Sequence, residues 1–228
     1  RCLIALGKVH VICRNQVDLT QPARLSNIIQ GIKPDVIVNA AAYTNVDRAQ
    51  SEPELAWAIN THAVDVLAKI AQQSGALLIH YSTDYVFDGT SPNPYTEQAA
   101  VCPLNVYGES KLAGEHAIMA SGADALILRT SWVYAARGHN FLRTILRLAS
   151  ERDTLSIVND QIGAPTWARL IAQSTTHIIA KARQQQKTAS FQSDRYHLSA
   201  RGQASWYDFA CTIIEQAKPV SYTHLRAH

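Results

Sequence analysis

Apolar and polar positions follow two rhythms along this chain, one helical and one extended. After Pro22, residues Leu25, Ile28, Ile29 and Ile32 fall at helical spacing, which predicts a helix over Pro22–Gly31 with one apolar face. The compact β-branched run Asp35–Asn39 (DVIVN) predicts a short strand covered on both faces. Ala56, Ile59, Ala63, Val66, Leu67 and Ile70 carry a helical stripe through Pro53–Ser74, and Gly75 stops it. Ala76–Tyr81 (ALLIHY) reads as the next strand, and Val9–Cys13 alternates as a shorter one before a polar turn and Asp18. A loop with Pro92, Pro94 and Pro103 then leads into a helix ending near Ala120. Strands at Ala125–Leu128, Leu155–Val158 and Tyr196–Leu198 alternate with helices at Asn140–Ser150, Trp167–Lys181 and Ser205–Ala217.

Strand and helix alternate throughout, so the pattern predicts βαβ units and the α/β class. Right-handed crossovers make the sheet doubly wound and mostly parallel, with ligands at the carboxyl ends of its strands. No internal repeat is visible, and the chain opens within what reads as a helix.

Composition narrows the class further. At 47% hydrophobic and 17% charged residues the 228-residue chain reads as a globular enzyme rather than a disordered segment. The net charge of +3 is small and its Lys and Arg are scattered, so no footprint for nucleic acid appears. No apolar run reaches the roughly 18 residues of a membrane span. Cys2, Cys13, Cys102 and Cys211 stand far apart with no Cys-x-x-Cys, which favours buried reduced thiols and a cytoplasmic setting over disulfides or zinc. His224 and His228 are four apart but lack the glutamate and third ligand of a zinc motif. No metal ligand set is expected; Mg2+ is compatible with the sequence but not legible in it. A homodimer is likewise compatible, with no signal for or against it.

The strongest local signal is Tyr107-Gly-Glu-Ser-Lys111 at a helix start. Residues four apart share a helix face, so phenol and ammonium can converge on one ligand. A cation beside the phenol favours phenolate, so the tyrosine pKa is expected to fall toward working pH and make Tyr107 a general acid. Alone, such a spacing is a common coincidence on helix surfaces. Thr83 stands just past the apolar strand, where a hydroxyl could bond a substrate carbonyl, in a polar cluster Ser82-Thr83-Asp84-Tyr85. The plain alternative for these residues is a turn that caps the strand.

Several blocks in order resemble the dTDP-4-dehydrorhamnose reductase family, which are extended short-chain dehydrogenases. They are Asn39-Ala-Ala-Ala-Tyr-Thr44, Ser82-Thr-Asp-Tyr-Val-Phe-Asp-Gly89, Pro103-Leu-Asn-Val-Tyr-Gly108, Lys111-Leu-Ala-Gly-Glu115 and Arg129-Thr-Ser-Trp-Val-Tyr134. Asn159-Asp-Gln-Ile-Gly-Ala-Pro-Thr166, Tyr196-His-Leu-Ser199 and Ser205-Trp-Tyr-Asp-Phe-Ala210 continue the likeness, which runs from about Val11 to Lys218. The resemblance implies a Rossmann-like, NAD(P)-binding sheet with a small C-terminal substrate-binding portion. Residues 1–134 would form the dinucleotide-binding part, 135–218 the substrate-binding portion with returning elements, and 219–228 a non-native tail.

The resemblance also implies roles. Tyr107 would give a proton to the C4 keto oxygen of a dTDP-sugar, Thr83 would bond the same oxygen, and Lys111 would hold the nicotinamide ribose. Asp84 and Trp132 would contact the sugar nucleotide. Asp18 and Leu19 match the adenine end of the cofactor site, and Ala42, Tyr43 and Thr44 match the loop beside its phosphates and ribose. Each has a plainer alternative: Trp132 as a core aromatic, Asp18 as a turn residue, Ala42 as a small packing residue. Arg14, with no acid at its position or at Cys13, favours NADPH while leaving NADH acceptable.

The chain departs from the family pattern at both ends. Gly7 stands alone, without the glycine-rich turn that cradles a pyrophosphate. By the register of the other motifs, about 20 residues of strand, turn and helix would precede it. The chain is therefore expected to be a fragment that binds dinucleotide poorly and exposes apolar surface. Two other functions stay open: an epimerase or dehydratase on the same scaffold, although Thr83-Asp84-Tyr85 lacks a dehydratase's second acid, and a regulatory subunit without turnover.

Overall fold

The computed structural model describes residues 2–217 and 224–227. A 3-10 turn at Cys2–Leu6 opens it, and a stretch of loop and turns leads to α1 (Pro22–Ile32), which has proline in its first turn, where a missing N–H costs nothing. β1 (Val36–Asn39) and α2 (Val46–Ser51) follow. The single helix expected over Pro53–Ser74 is α3 (Pro53–Trp57), a π-helical turn at Ala58–His62, and α4 (Ala63–Ser74), ended by Gly75 in the left-handed conformation at φ 68°. β2 (Leu77–Thr83), a 3-10 turn at Asp84–Val86, α5 (Val106–Ala120) and β3 (Ala125–Thr130) come next. β4 (Val133–Tyr134), α6 (Phe141–Glu151), β5 (Thr154–Ile157), β6 (Ile162–Gly163) and β7 (Thr166–Trp167) then lead to α7 (Ala168–Lys187). β8 (Asp194–His197), β9 (Ala204–Ser205), α8 (Trp206–Gln216) and β10 (His224–Ala227) complete the order.

The chain divides into two compact units, one of residues 1–129 with 176–197 and one of 130–175 with 198–228. In the first, four strands form a sheet in the order β1-β2-β3-β8, with β1 parallel to β2 and β3 parallel to β8. Its core gathers Leu25 and Ile29 of α1, Leu67 and Ile70 of α4, Leu78 of β2 and Ile127 of β3. Interior strands covered on both faces need apolar residues at consecutive positions, and Leu77, Leu78 and Ile79 are all fully buried.

The strand expected at Val9–Cys13 does not form. The segment has no regular secondary structure, Val9 and Val11 are exposed, and no strand among the described residues pairs with it. Cys13 instead opens a turn, its N–H bonded to Gln16 Oε1 at 2.8 Å. Alternation gives a strand two faces, but only a ladder partner makes it a strand. Between this segment and β1 lies a cavity of about 870 Å³, whose walls include Val9, Val11, Val36 and Val38.

In the second unit the sheets are small: β4 pairs parallel with β7, β6 antiparallel with β9, and β5 parallel with β10. Ile145 of α6 and Phe209, Ala210 and Ile213 of α8 make its core. A capping box between Ser205 and Asp208 starts α8. Of the stretch 219–228 expected to be foreign, residues 219–223 and 228 lie outside the described residues, while 224–227 supply the backbone of β10. All four cysteines are free thiols, but the expected burial does not hold: Cys13 and Cys102 are exposed and Cys2 and Cys211 only partly covered. Among the described residues no helix is long and apolar enough to cross a membrane.

Candidate active site

The site is assembled where β2 ends and α5 begins. Thr83, the last residue of β2, caps the following 3-10 turn by accepting from the Tyr85 N–H at 3.2 Å. Asn105 caps α5 by accepting from the Gly108 N–H at 2.8 Å, so Tyr107 and Lys111 occupy its first turns on one face. Gly108 permits the close approach of the two segments: a Cβ there would collide with the carbonyl oxygen of Tyr85. The approach leaves the Tyr85 and Tyr107 rings edge to face, centroids 5.4 Å apart. Thr83, Tyr107 and Lys111 are all buried, with Asp84 at the same strand end.

The electrostatics differ from the expectation for Tyr107. Burial pushes its phenol up to about 12; a hydrogen bond with Thr83 opposes this, and the nearby Asp84 and Tyr85 add to it. The physical reason is the direction of Lys111. Its Nζ donates to the Tyr81 carbonyl at 2.6 Å and lies 3.1 Å from His80 Nε2, so the amino group is engaged by β2 rather than by the phenol. Burial lowers Lys111 itself to about 8, against the pull of Glu115. Asp84 is raised, again by burial, against hydrogen bonds from Thr83 and the backbone. A phenol held this high keeps its proton at neutral pH, the state a proton donor needs.

A buried ion pair fixes α5 behind this face. Arg129 of β3 grips Glu115 with two bonds, Nε to Oε1 at 2.9 Å and Nη2 to Oε2 at 2.6 Å. Ser82 of β2 donates to the same Glu115 Oε1 at 2.5 Å. One carboxylate thus ties helix, central strand and neighbouring strand together.

The residues expected at the cofactor divide into two groups. Asp18, Leu19 and Ala42 line the cavity beside β1. Asp18 also forms a turn, its Oδ1 accepting from the N–H and the hydroxyl of Thr20, each at 2.9 Å, and these bonds with the nearby Arg14 lower its pKa. Tyr43 and Thr44 follow in the loop after β1, where Tyr43 donates its hydroxyl to Glu52 at 2.7 Å. Ala40 and Ala41 are exposed along this loop, leaving its backbone open to close approach. Trp132 belongs to the second unit, where it has φ 48° and stacks on Trp206 with centroids 3.5 Å apart. It presses on Gly163, where a Cβ would collide with the indole. Among the described residues no group of three or more His, Cys, Asp or Glu is placed to hold a metal ion.

Sequence reading missed His80, Asn60 and the Glu115–Arg129 pair. The available signal was polarity out of place: a histidine inside ALLIHY, and an asparagine within a helical apolar stripe.

A parallel α/β sheet with a Tyr-x-x-x-Lys helix beside its central strand defines a Rossmann-like domain of the short-chain dehydrogenase class. The model of the RmlD substrate binding domain family matches residues 3–227. The dTDP-4-dehydrorhamnose reductase of Burkholderia thailandensis is 50% identical over 220 residues, which is 96% of this chain and 74% of that protein. That of Escherichia coli K12 is 50% identical over 201 residues, 88% of this chain and 66% of its own length. The chain belongs to the dTDP-4-dehydrorhamnose reductase family. Against these two relatives it spans 74% and 66% of their length. The crystal structure of the Bacillus anthracis dTDP-4-dehydrorhamnose reductase in complex with NADP superposes with a TM-score of 0.87 at 34% identity, covering 95% of this chain and 74% of that one. A Brucella ovis UDP-glucose 4-epimerase in complex with NAD shares the fold at 18% identity and a TM-score of 0.74, covering 93% of this chain and 71% of that one.

Proposed function

We propose that this chain carries the catalytic residues of an NADPH-dependent reductase, cytoplasmic, that converts the C4 keto group of dTDP-4-dehydro-L-rhamnose to the alcohol of dTDP-L-rhamnose. The observation that carries the reading is the convergence of Thr83, Tyr107 and Lys111 where β2 meets α5. A bound nicotinamide dinucleotide would supply the hydride. Tyr107 gives its phenolic proton to the carbonyl oxygen as that oxygen gains charge, and burial keeps the phenol protonated until then. Thr83 bonds the same oxygen. Lys111 would hold a ribose hydroxyl of that dinucleotide, and Asp84 would contact the sugar nucleotide.

The residues present fit a dinucleotide in two places. Asp18, Leu19 and Ala42 wall a cavity of suitable size for its adenine end. The small side chains from Ala40 to Ala42 leave room for phosphate oxygens to approach backbone beyond β1. Arg14, whose charge reaches Asp18, supports NADPH over NADH.

The test is NADPH oxidation with and without dTDP-4-dehydro-L-rhamnose, beside a Tyr107→Phe control. Substrate-dependent oxidation that falls by about 100-fold or more in the control supports the reading. Cofactor binding without oxidation would move the chain to the class of binding subunits.

A further inference from the structure

His80 takes no part in the proton transfer proposed above, yet it is enclosed in β2 beside the fully buried Leu77, Leu78 and Ile79. An imidazole among such neighbours is costly unless its ring nitrogens are bonded. Both are: Nδ1 lies 3.0 Å from Nδ2 of Asn39, its register partner on β1, and Nε2 lies 3.1 Å from Lys111 Nζ.

These contacts constrain one another. A neutral imidazole carries one N–H, so its two nitrogens cannot both accept, and an ammonium can only donate. A charged Lys111 therefore requires a bare Nε2 and a proton on Nδ1, with the Asn39 carbonyl oxygen turned to receive it. In the orientation observed, Asn39 Oδ1 accepts from the Ala41 N–H at 3.2 Å and Nδ2 points at the ring. That orientation puts the ring proton on Nε2 and makes Lys111 the neutral amine that accepts it. The two arrangements correspond to the two protonation states of Lys111.

We propose that His80, oriented by Asn39, is a positioning residue that holds Lys111 against β2 and sets its affinity for a proton. The inference rests on the reading of Lys111 as a partner of Tyr107. Burial keeps the ring itself neutral, its pKa well below the ordinary value, with Lys111 adding to the effect. Few other charges face the pair. On α5, Tyr107 lies one turn before Lys111 and Glu115 one turn after it; Arg129 of β3 pairs with Glu115, and Arg195 of β8 lies 4.0 Å from the same carboxylate. Asp84 follows β2, and β1 contributes the uncharged Asn39.

The experiment titrates Lys111 directly in the full chain by the ε-carbon NMR shift of labelled lysine, assigned by the signal lost in Lys111→Met. His80→Phe removes the acceptor and is expected to lower the Lys111 midpoint by about one pH unit, a tenfold loss of proton affinity. His80→Gln, which restores an acceptor, returns it toward the parent value. Asn39→Asp adds a negative charge that fixes the proton on Nδ1, and is expected to raise the midpoint by about as much. If His80→Phe does not fold, Asn39→Asp decides alone. An unchanged midpoint in every folded variant overturns the proposal and makes His80 a packing residue. NADPH oxidation in the same preparations separates the two readings. Shifted midpoints in a chain without substrate-dependent oxidation would sink the reductase and leave His80 in place; unshifted midpoints in an active chain would do the reverse.

Discussion

Asn60 holds the backbone of Tyr43 with both ends of one amide: Oδ1 accepts from the Tyr43 N–H at 2.9 Å, and Nδ2 donates to the Tyr43 carbonyl at 3.1 Å. The same Nδ2 donates to Ser110 Oγ of α5 at 3.0 Å. A buried side chain in the π-helical turn therefore fixes the loop after β1 against the helix of Tyr107 and Lys111. Such a turn re-aims one residue relative to a regular helix, here the one that carries the clamp.

Asn60→Leu keeps the volume and removes all three bonds, leaving Tyr43 backbone groups short of partners. A loss of about 2–4 kcal/mol is expected, since each buried polar group left unsatisfied costs about 1–3 kcal/mol. The urea midpoint of the variant against the parent chain checks this, and an unchanged midpoint would show that water replaces the clamp.

Gly114→Ala inverts the usual helix preference. In an exposed helix interior alanine is better than glycine by about 1 kcal/mol. At this position the added methyl would run into the carbonyl oxygen of Asn60. The obstacle is backbone and cannot swing aside, so a net loss of about 1–3 kcal/mol is expected. A raised thermal midpoint in Gly114→Ala would mean that α5 and the π-helical turn separate freely.

Arg129→Met strips the Glu115 carboxylate of its two-bond partner and leaves it only Ser82 and the more distant Arg195, whose Nε lies 4.0 Å from Oε2. The Arg129 and Glu115 side chains are almost wholly excluded from water, so the expected cost is about 3–5 kcal/mol. The double replacement Arg129→Met with Glu115→Leu removes the stranded charge and should recover most of that loss. Denaturation of the two variants side by side distinguishes an uncompensated charge from lost packing: equal losses would favour packing.

Local periodicity made most of the fold legible. Leu25 and Ile29 do face the core, Leu77–Ile79 are enclosed on both faces, and Gly75 does end its helix in the left-handed conformation. The Tyr107–Lys111 spacing and the capped strand end at Thr83 were readable for the same reason, because both are set within one element or one turn. Val9–Cys13 failed because a strand depends on a partner that its own alternation does not specify. The Tyr107 pKa failed because it depends on burial and on where a flexible lysine sends its amino group, here to His80 and the Tyr81 carbonyl. Asn60 stands out of place in its apolar stripe, but what it clamps was not legible, because its partner Tyr43 lies 17 residues away in a loop.

Lys111 should leave a signature in both activity and stability. Its folded pKa, lowered by burial, is about 8 against an ordinary 10.5, while burial raises Tyr107 from 10.0 to about 12. The phenol therefore keeps its proton across the working range, and the alkaline limb of kcat/KM is expected near pH 8, where Lys111 loses its charge. For stability, between pH 8 and 10.5 the unfolded chain binds more protons at this lysine than the folded one, so stability rises with pH there. The buried charge is a penalty carried below the folded pKa and relieved above it. Tyr107 acts in the opposite sense at higher pH, where the folded chain holds its proton between 10.0 and about 12. Urea midpoints at about pH 7 and about pH 9.5 should differ through Lys111 by on the order of 2 kcal/mol, and Lys111→Met should abolish that part of the rise. An activity limb near the ordinary lysine value, with no Lys111-dependent rise in stability, would mean that water reaches the ammonium and that β2 does not enclose it in solution.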